Sequence, residues 1–109
     1  MKIILSPQRR EDTVIYIKAG DSLSINAEVF DFSKVKEGDV LPREAIKSEW
    51  FAGNVTRVNG ELQLILILPN PWNYSQAQAF PMPIAVSENG PIELPGPLPA
   101  VATEGAAYE

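Results

Sequence analysis

The sequence predicts an all-β domain, a small antiparallel sandwich or partly open barrel of about six or seven strands with a proline-rich C-terminal arm. Three observations predict it. Turn signals recur at short intervals, no long stretch carries helical periodicity, and runs rich in β-branched and aromatic residues alternate apolar with polar. The chain has 109 residues, 45% hydrophobic and 21% charged, an ordinary globular balance that suffices for one core without covalent staples. The expected division is an antiparallel β domain over residues 1–94 and an extended or flexible tail over residues 95–109.

Ile3–Leu5, Thr13–Lys18 and Ser22–Phe32 read as strands in chain order. In the last, Leu23, Ile25, Ala27 and Val29 alternate with Ser22, Ser24, Asn26 and Glu28. Phe30 and Phe32 fall on the polar phase, so a bulge or bend near Ala27–Val29 is expected to turn them inward. Ser33–Lys47 is a connection with a turn at Glu37-Gly38-Asp39 and one short helical turn led by Pro42.

Asn59-Gly60 is the strongest local signal, because this dipeptide suits the positive φ angles of a type I′ hairpin turn. Ser48–Val58 leads in and Glu61–Leu68 leads out. A two-residue loop pairs Val58 with Glu61, and every later pair of partners then sums to 119. One face carries Phe51, Gly53, Val55 and Arg57 opposite Leu68, Leu66, Leu64 and Leu62, a core face with Arg57 at its wet end. The other face is polar near the turn but apolar at its base, where Trp50, Ala52, Ile65 and Ile67 require a cover from the chain itself or from another subunit. The expected core contains Leu62, Leu64, Leu66, Val55, Phe51, Ile25, Val29 and Ile15.

Eight of the ten prolines lie between Pro69 and Pro99, which ends long central strands there. Ile84–Val86 and Pro91–Leu94 are expected to form a short edge hairpin about Glu88-Asn89-Gly90, and the extended arm starts at Pro95.

The chemistry is narrowed mainly by absences in composition. Cysteine and histidine are both missing, which removes disulfides, thiolate nucleophiles, Cys/His zinc sites and His-based triads. No nucleophile elbow, phosphate loop or dinucleotide fingerprint occurs. The best local carboxylate pair, Glu28 and Asp31, points to opposite faces of a regular strand. No enzyme, cofactor or metal site is therefore expected. Net charge is −5, and from Val58 onward there is no Lys or Arg at all, so neither nucleic acid nor an anionic membrane is an expected partner. Met1–Leu5 is too short for a signal peptide core, which leads to an expected place in the cytoplasm, or outside it only as part of a larger assembly.

Trp72, Tyr74 and Phe80 stand among Pro69, Pro71, Pro81 and Pro83. The plainer reading folds this loop over the sheet with Trp72 closing one end of the core. The functional readings make it a protein hot spot or a sugar-stacking platform. Trp50, Ile65, Ile67, Trp72 and Tyr74 are accordingly the candidate partner-binding residues.

Several stretches together resemble a group of small, uncharacterised prophage proteins encoded near tail and tail-fibre genes of Gram-negative bacteria. They are Ile4-Leu5-Ser6-Pro7-Gln8-Arg9-Arg10, Phe30-Asp31-Phe32-Ser33, Gly38-Asp39-Val40-Leu41-Pro42, Trp50-Phe51-Ala52-Gly53, Leu66-Ile67-Leu68-Pro69 and Phe80-Pro81-Met82-Pro83-Ile84. Where that group carries His-Gly after the strand-ending proline, this chain has Asn70-Pro71-Trp72. The resemblance implies a non-enzymatic accessory or minor structural factor in tail or tail-fibre assembly. Its partner would be a phage protein or a second copy of the chain. A carbohydrate-binding module using the loop aromatics is the alternative.

Overall fold

The computed structural model describes residues 1–98 and shows an all-β protein built from two sheets. The first has strand order β5-β6-β7-β1-β8, from β1 (Lys2–Arg9), β5 (Val40–Leu41), β6 (Val55–Val58), β7 (Glu61–Asn70) and β8 (Ile84–Ala85). The second has order β4-β3-β2-β9, from β2 (Tyr16–Ala19), β3 (Ser22–Ile25), β4 (Glu28–Asp31) and β9 (Gly90–Pro91). These are more strands than the sequence predicts, and one central pair, β1 with β7, runs parallel over eight residue pairs. A 3-10 turn, Arg43–Ala45, and one short helix, α1 (Gln76–Ala79), complete the regular structure among the described residues.

The hairpin corner forms as predicted. Asn59 and Gly60 both adopt positive φ, 53° and 78°, and Val58, Arg57 and Thr56 pair with Glu61, Leu62 and Gln63. Further from the turn the register slips, because Phe51 bridges to Leu66 rather than Leu68. Around the slip, the Asn54 Oδ1 accepts from the Arg43 N–H at 2.9 Å and the Arg43 Nε donates to the Phe51 carbonyl at 2.8 Å. The Phe51 carbonyl faces away from β7 at this position, and Arg43 supplies its donor. A slip of two residues preserves the two faces, whereas a slip of one would exchange them. Phe51, Val55, Leu62, Leu64, Leu66 and Leu68 accordingly all remain buried.

The second sheet corrects two expected core positions. Asn26 and Ala27 form a tight turn with φ of 50° and 74°, so Ser22–Phe32 is a hairpin and not one bent strand. Ile25 pairs with Glu28 and Leu23 with Phe30, and this reversal moves the inward phase from odd to even positions. Phe30 turns toward the core as expected, by a turn instead of a bulge, while Val29 is exposed. Ile15 is exposed for a related reason. Both phases of Val14-Ile15-Tyr16-Ile17 are apolar, and Tyr16 takes the interior, where its hydroxyl donates to the Ile67 carbonyl at 2.6 Å.

The segment expected to be an edge hairpin is instead a corner between the sheets. β8 pairs with β1 and β9 with β2, so Ile84 and Pro91 belong to different sheets. The Asn89 side chain pins the corner, its Oδ1 accepting from the Gly20 N–H at 2.8 Å and from the buried Lys18 Nζ at 3.3 Å. The two inner faces share one core, with Ile3, Tyr16, Leu23, Phe51, Leu64 and Leu66 fully buried. Phe51 meets Phe30 and Phe32 edge to face, with centroids 5.6 and 5.7 Å away. Such pairs add about 0.5–1.5 kcal/mol each beyond the apolar area they bury.

Candidate functional site

β7 delivers the chain to Asn70, and from there to Pro83 a loop is held from within by polar groups. Asn70 is buried, its Nδ2 donating to the Gln78 carbonyl at 2.8 Å while its own carbonyl accepts from the Arg10 N–H at 2.9 Å. Ser75 caps α1: its Oγ accepts from the Gln78 N–H, and the Gln78 Oε1 accepts in return from the Ser75 N–H. This reciprocal pair settles two donors that a short helix otherwise leaves open. The buried Gln78 therefore serves as both brace and cap.

With Asn70 and Gln78 inside, the apolar side chains of the loop face outward. Trp72 is 69% exposed, Phe80 75%, Met82 79% and Tyr74 47%. This inverts the usual order, since buried polar groups and exposed large apolar groups are each the informative exception. The plainer reading of Trp72 as a plug of the core is corrected: the core closes without it. Pro71, Pro81 and Pro83 restrict the backbone beside these side chains, so less conformational freedom remains to be lost when a partner binds.

Gly96 and Leu98 are tied to this loop. The Leu98 N–H donates to the Asn73 carbonyl at 2.9 Å, the Asn73 Nδ2 donates to the Leu98 carbonyl at 2.8 Å, and the Ser75 Oγ donates to the Gly96 carbonyl at 2.7 Å. The first residues of the expected free tail, Pro95–Leu98, thus lie on the chain itself; the remainder of that tail falls outside the described residues.

Trp50, Ile65 and Ile67 behave differently. Trp50 and Ile67 are buried by the chain itself, and Ile65 is half-buried with its side chain packed against Gly53. The Arg10 guanidinium lies 4.1 Å from the centroid of the Trp50 ring. Hydrogen bonds to Asp12 and Glu49 fix it there and raise its pKa above the ordinary value, while Arg10 holds the Asp12 carboxyl below its own. Of the two covers expected for the apolar root of the hairpin, the chain itself supplies the one over Trp50 and Ile67, which corrects these two as partner-binding residues, while Ile65 stays half-buried and Ala52 exposed. Of the five predicted residues, Trp72 and Tyr74 remain accessible. Phe80, Met82 and Leu98 join them.

Other surfaces offer less. A cleft of about 350 Å³ lined by Lys18, Asp21, Glu61 and Val86 has its carboxylates already paired, Asp21 with Arg57 and Glu61 with the Met1 ammonium. Glu28 and Asp31 lie on opposite faces of β4, and the Asp31 carboxylate accepts from the Ser33 N–H, which lowers its pKa. Among the described residues no group of three or more acidic side chains is gathered closely enough to hold a metal ion. Comparison of the chain with family models, curated proteins and solved structures finds no match. The loop from Pro71 to Pro83 is accordingly the surface on which a functional reading rests.

Proposed function

We propose that this chain is a non-enzymatic, phage-derived protein that works in tail or tail-fibre assembly, as an accessory or minor structural factor, through protein–protein contacts. The observation that carries the binding role is the inverted polarity of the loop, which buries Asn70 and Gln78 and presents Trp72, Tyr74, Phe80 and Met82 to solvent. Trp and Tyr are the residue types that dominate binding hot spots, and a proline-stiffened backbone presents them at low entropic cost. The resemblance to prophage proteins supplies the setting, which is the host cytoplasm during assembly or the virion afterwards. It also supplies the partner class, a tail or tail-fibre protein.

The test is co-expression with phage tail and tail-fibre proteins, followed by size-exclusion chromatography with light scattering. Co-elution is expected for the native chain and is lost in a Trp72→Ala/Phe80→Ala variant whose melting temperature is unchanged. Absence of co-elution, or co-elution indifferent to the double substitution, overturns the proposal. The exposure of Trp72 and Tyr74 also supports the carbohydrate-binding alternative. Quenching of tryptophan fluorescence by one member of a glycan panel would favour that reading instead.

A further inference from the structure

Resting on the reading of this loop as the contact surface, we infer that the Asn73–Ser75 edge is a peptide-binding edge whose ligand class is an extended, uncharged, proline-flanked segment. Pro95–Leu98 is its resident occupant, and a partner's segment of the same chemistry replaces it. Three observations carry the inference.

All three hydrogen bonds across the edge engage backbone atoms of the occupant: the Leu98 N–H, the Leu98 carbonyl and the Gly96 carbonyl. The occupant has no hydrogen-bonding side chain of its own, so its main chain is all that is read, by the Asn73 carbonyl and by the Asn73 and Ser75 side chains. The bonded residues, Gly96 and Leu98, are two apart, and the residue between them is Pro97. Proline has no N–H to leave unpaired and favours an extended backbone, so proline at the unbonded position loses nothing. Finally, the loop side carries no Asp, Glu, Lys or Arg from Pro71 to Ser87, and Trp72 and Tyr74 flank Asn73. An uncharged segment suits this edge, since the loop offers a charged one no counter-charge.

The occupant is held lightly enough to exchange. Leu98 is 54% exposed, and Gly96 and Pro97 are also exposed. The probe is a blocked peptide, acetyl-Leu-Pro-Gly-Pro-Leu-amide, copying residues 94–98, titrated into the full chain and followed by Trp72 fluorescence and amide NMR. Leu98→Pro removes the N–H that holds the resident segment while sparing the edge, so it is expected to bind the peptide at least roughly threefold tighter than the native chain by relief of competition. Asn73→Ala is expected to abolish binding. Leu-Glu-Gly-Glu-Leu, blocked in the same way, lacks both prolines and meets no counter-charge, and is expected to bind several-fold more weakly.

Peptide binding that ignores Asn73→Ala, no gain in Leu98→Pro, or equal binding of the charged peptide overturns the inference. In the native chain the Leu98 amide is expected to exchange hydrogen faster on peptide addition, a readout that needs no variant, and an unchanged rate counts against displacement. A native dimer that becomes monomeric in Asn73→Ala would overturn the foreign occupant in favour of a segment exchanged with a second copy. If the peptide binds while the Trp72→Ala/Phe80→Ala variant still co-elutes with a tail protein, the loop aromatics fail as the assembly contact and the edge stands. The reverse outcome separates them equally well.

Discussion

The Tyr16 hydroxyl donates to the Ile67 carbonyl at 2.6 Å, joining β2 of one sheet to β7 of the other through the buried core. Burial raises the phenol pKa well above its ordinary value, an effect only partly opposed by the positive charge of Arg10. Two consequences follow from this one contact.

Tyr16→Phe leaves the Ile67 carbonyl buried without its donor, at an expected cost of about 1–3 kcal/mol in urea unfolding at neutral pH. The pH dependence has a definite sign. Because the folded pKa lies above the unfolded value of about 10, the stabilisation is complete below that pH and declines above it, where the unfolded chain ionises first. The native chain is therefore expected to lose stability between pH 9 and 11 faster than Tyr16→Phe, and the gap between them narrows. Parallel unfolding curves at the two pH values check it.

Ala27 holds φ at 74° in the turn between β3 and β4, a region that L side chains with a Cβ enter at a cost of roughly 1–2 kcal/mol. Glycine pays no such penalty, although it adds freedom to the unfolded chain. Ala27→Gly is expected to stabilise by up to about 1 kcal/mol, raising the melting temperature by several degrees. The neighbouring Asn26 already suits its φ of 50°, and its Oδ1 accepts from the Ile15 N–H at 2.9 Å, so Asn26→Ala is expected to destabilise.

Leu64 and Trp72 make opposite predictions from opposite surroundings. Leu64 is fully buried on β7, so Leu64→Ala is expected to cost about 2–5 kcal/mol through lost transfer energy and the cavity left behind. Trp72 is 69% exposed, and Trp72→Ala is expected to change stability by no more than about 0.5 kcal/mol. Thermal unfolding of the two variants under one set of conditions tests the placement of both residues.

What the sequence made legible was local, and what it hid was long-range. Asn59-Gly60 encodes its own turn, and the alternating leucines after it encode their buried face, so both could be read directly. The slip at Phe51 could not, because the segment between Phe51 and Val55 leaves the ladder and no turn dipeptide marks the place. Asn26-Ala27 lacks the glycine that marks the other hairpin, so the turn and the exposure of Val29 stayed hidden. At the candidate site, the aromatics were visible by type, whereas α1 was missed although Ser75-Gln76-Ala77-Gln78 has the spacing of a capping box. That Trp72 faces out depends on Asn70 and Gln78 facing in, a matter of tertiary packing. Trp50 and Ile67 were rightly seen as needing a cover, and its source, the same chain, could not be known before the fold.

Gly53 shows why the slipped region accepts so little side chain. A Cβ built there would lie 2.6 Å from the Ile65 Cδ1 and 3.2 Å from its Cβ, with no unusual φ to complicate the substitution. The clash at the methyl tip is relieved by rotating Ile65, but the contact with the Ile65 Cβ moves only with the strand. Gly53→Ala is therefore expected to destabilise by about 1–3 kcal/mol, the range for overpacking a filled site. Ile65→Val deletes the Cδ1 and leaves the Cβ, so it should recover part of that loss in the double variant and not all of it. A double-mutant cycle in urea should show favourable coupling of at least about 0.5 kcal/mol, as for residues in direct contact. Additive effects would mean that Gly53 and Ile65 do not share this contact, and the close approach of the hairpin root to β7 would have to be redrawn.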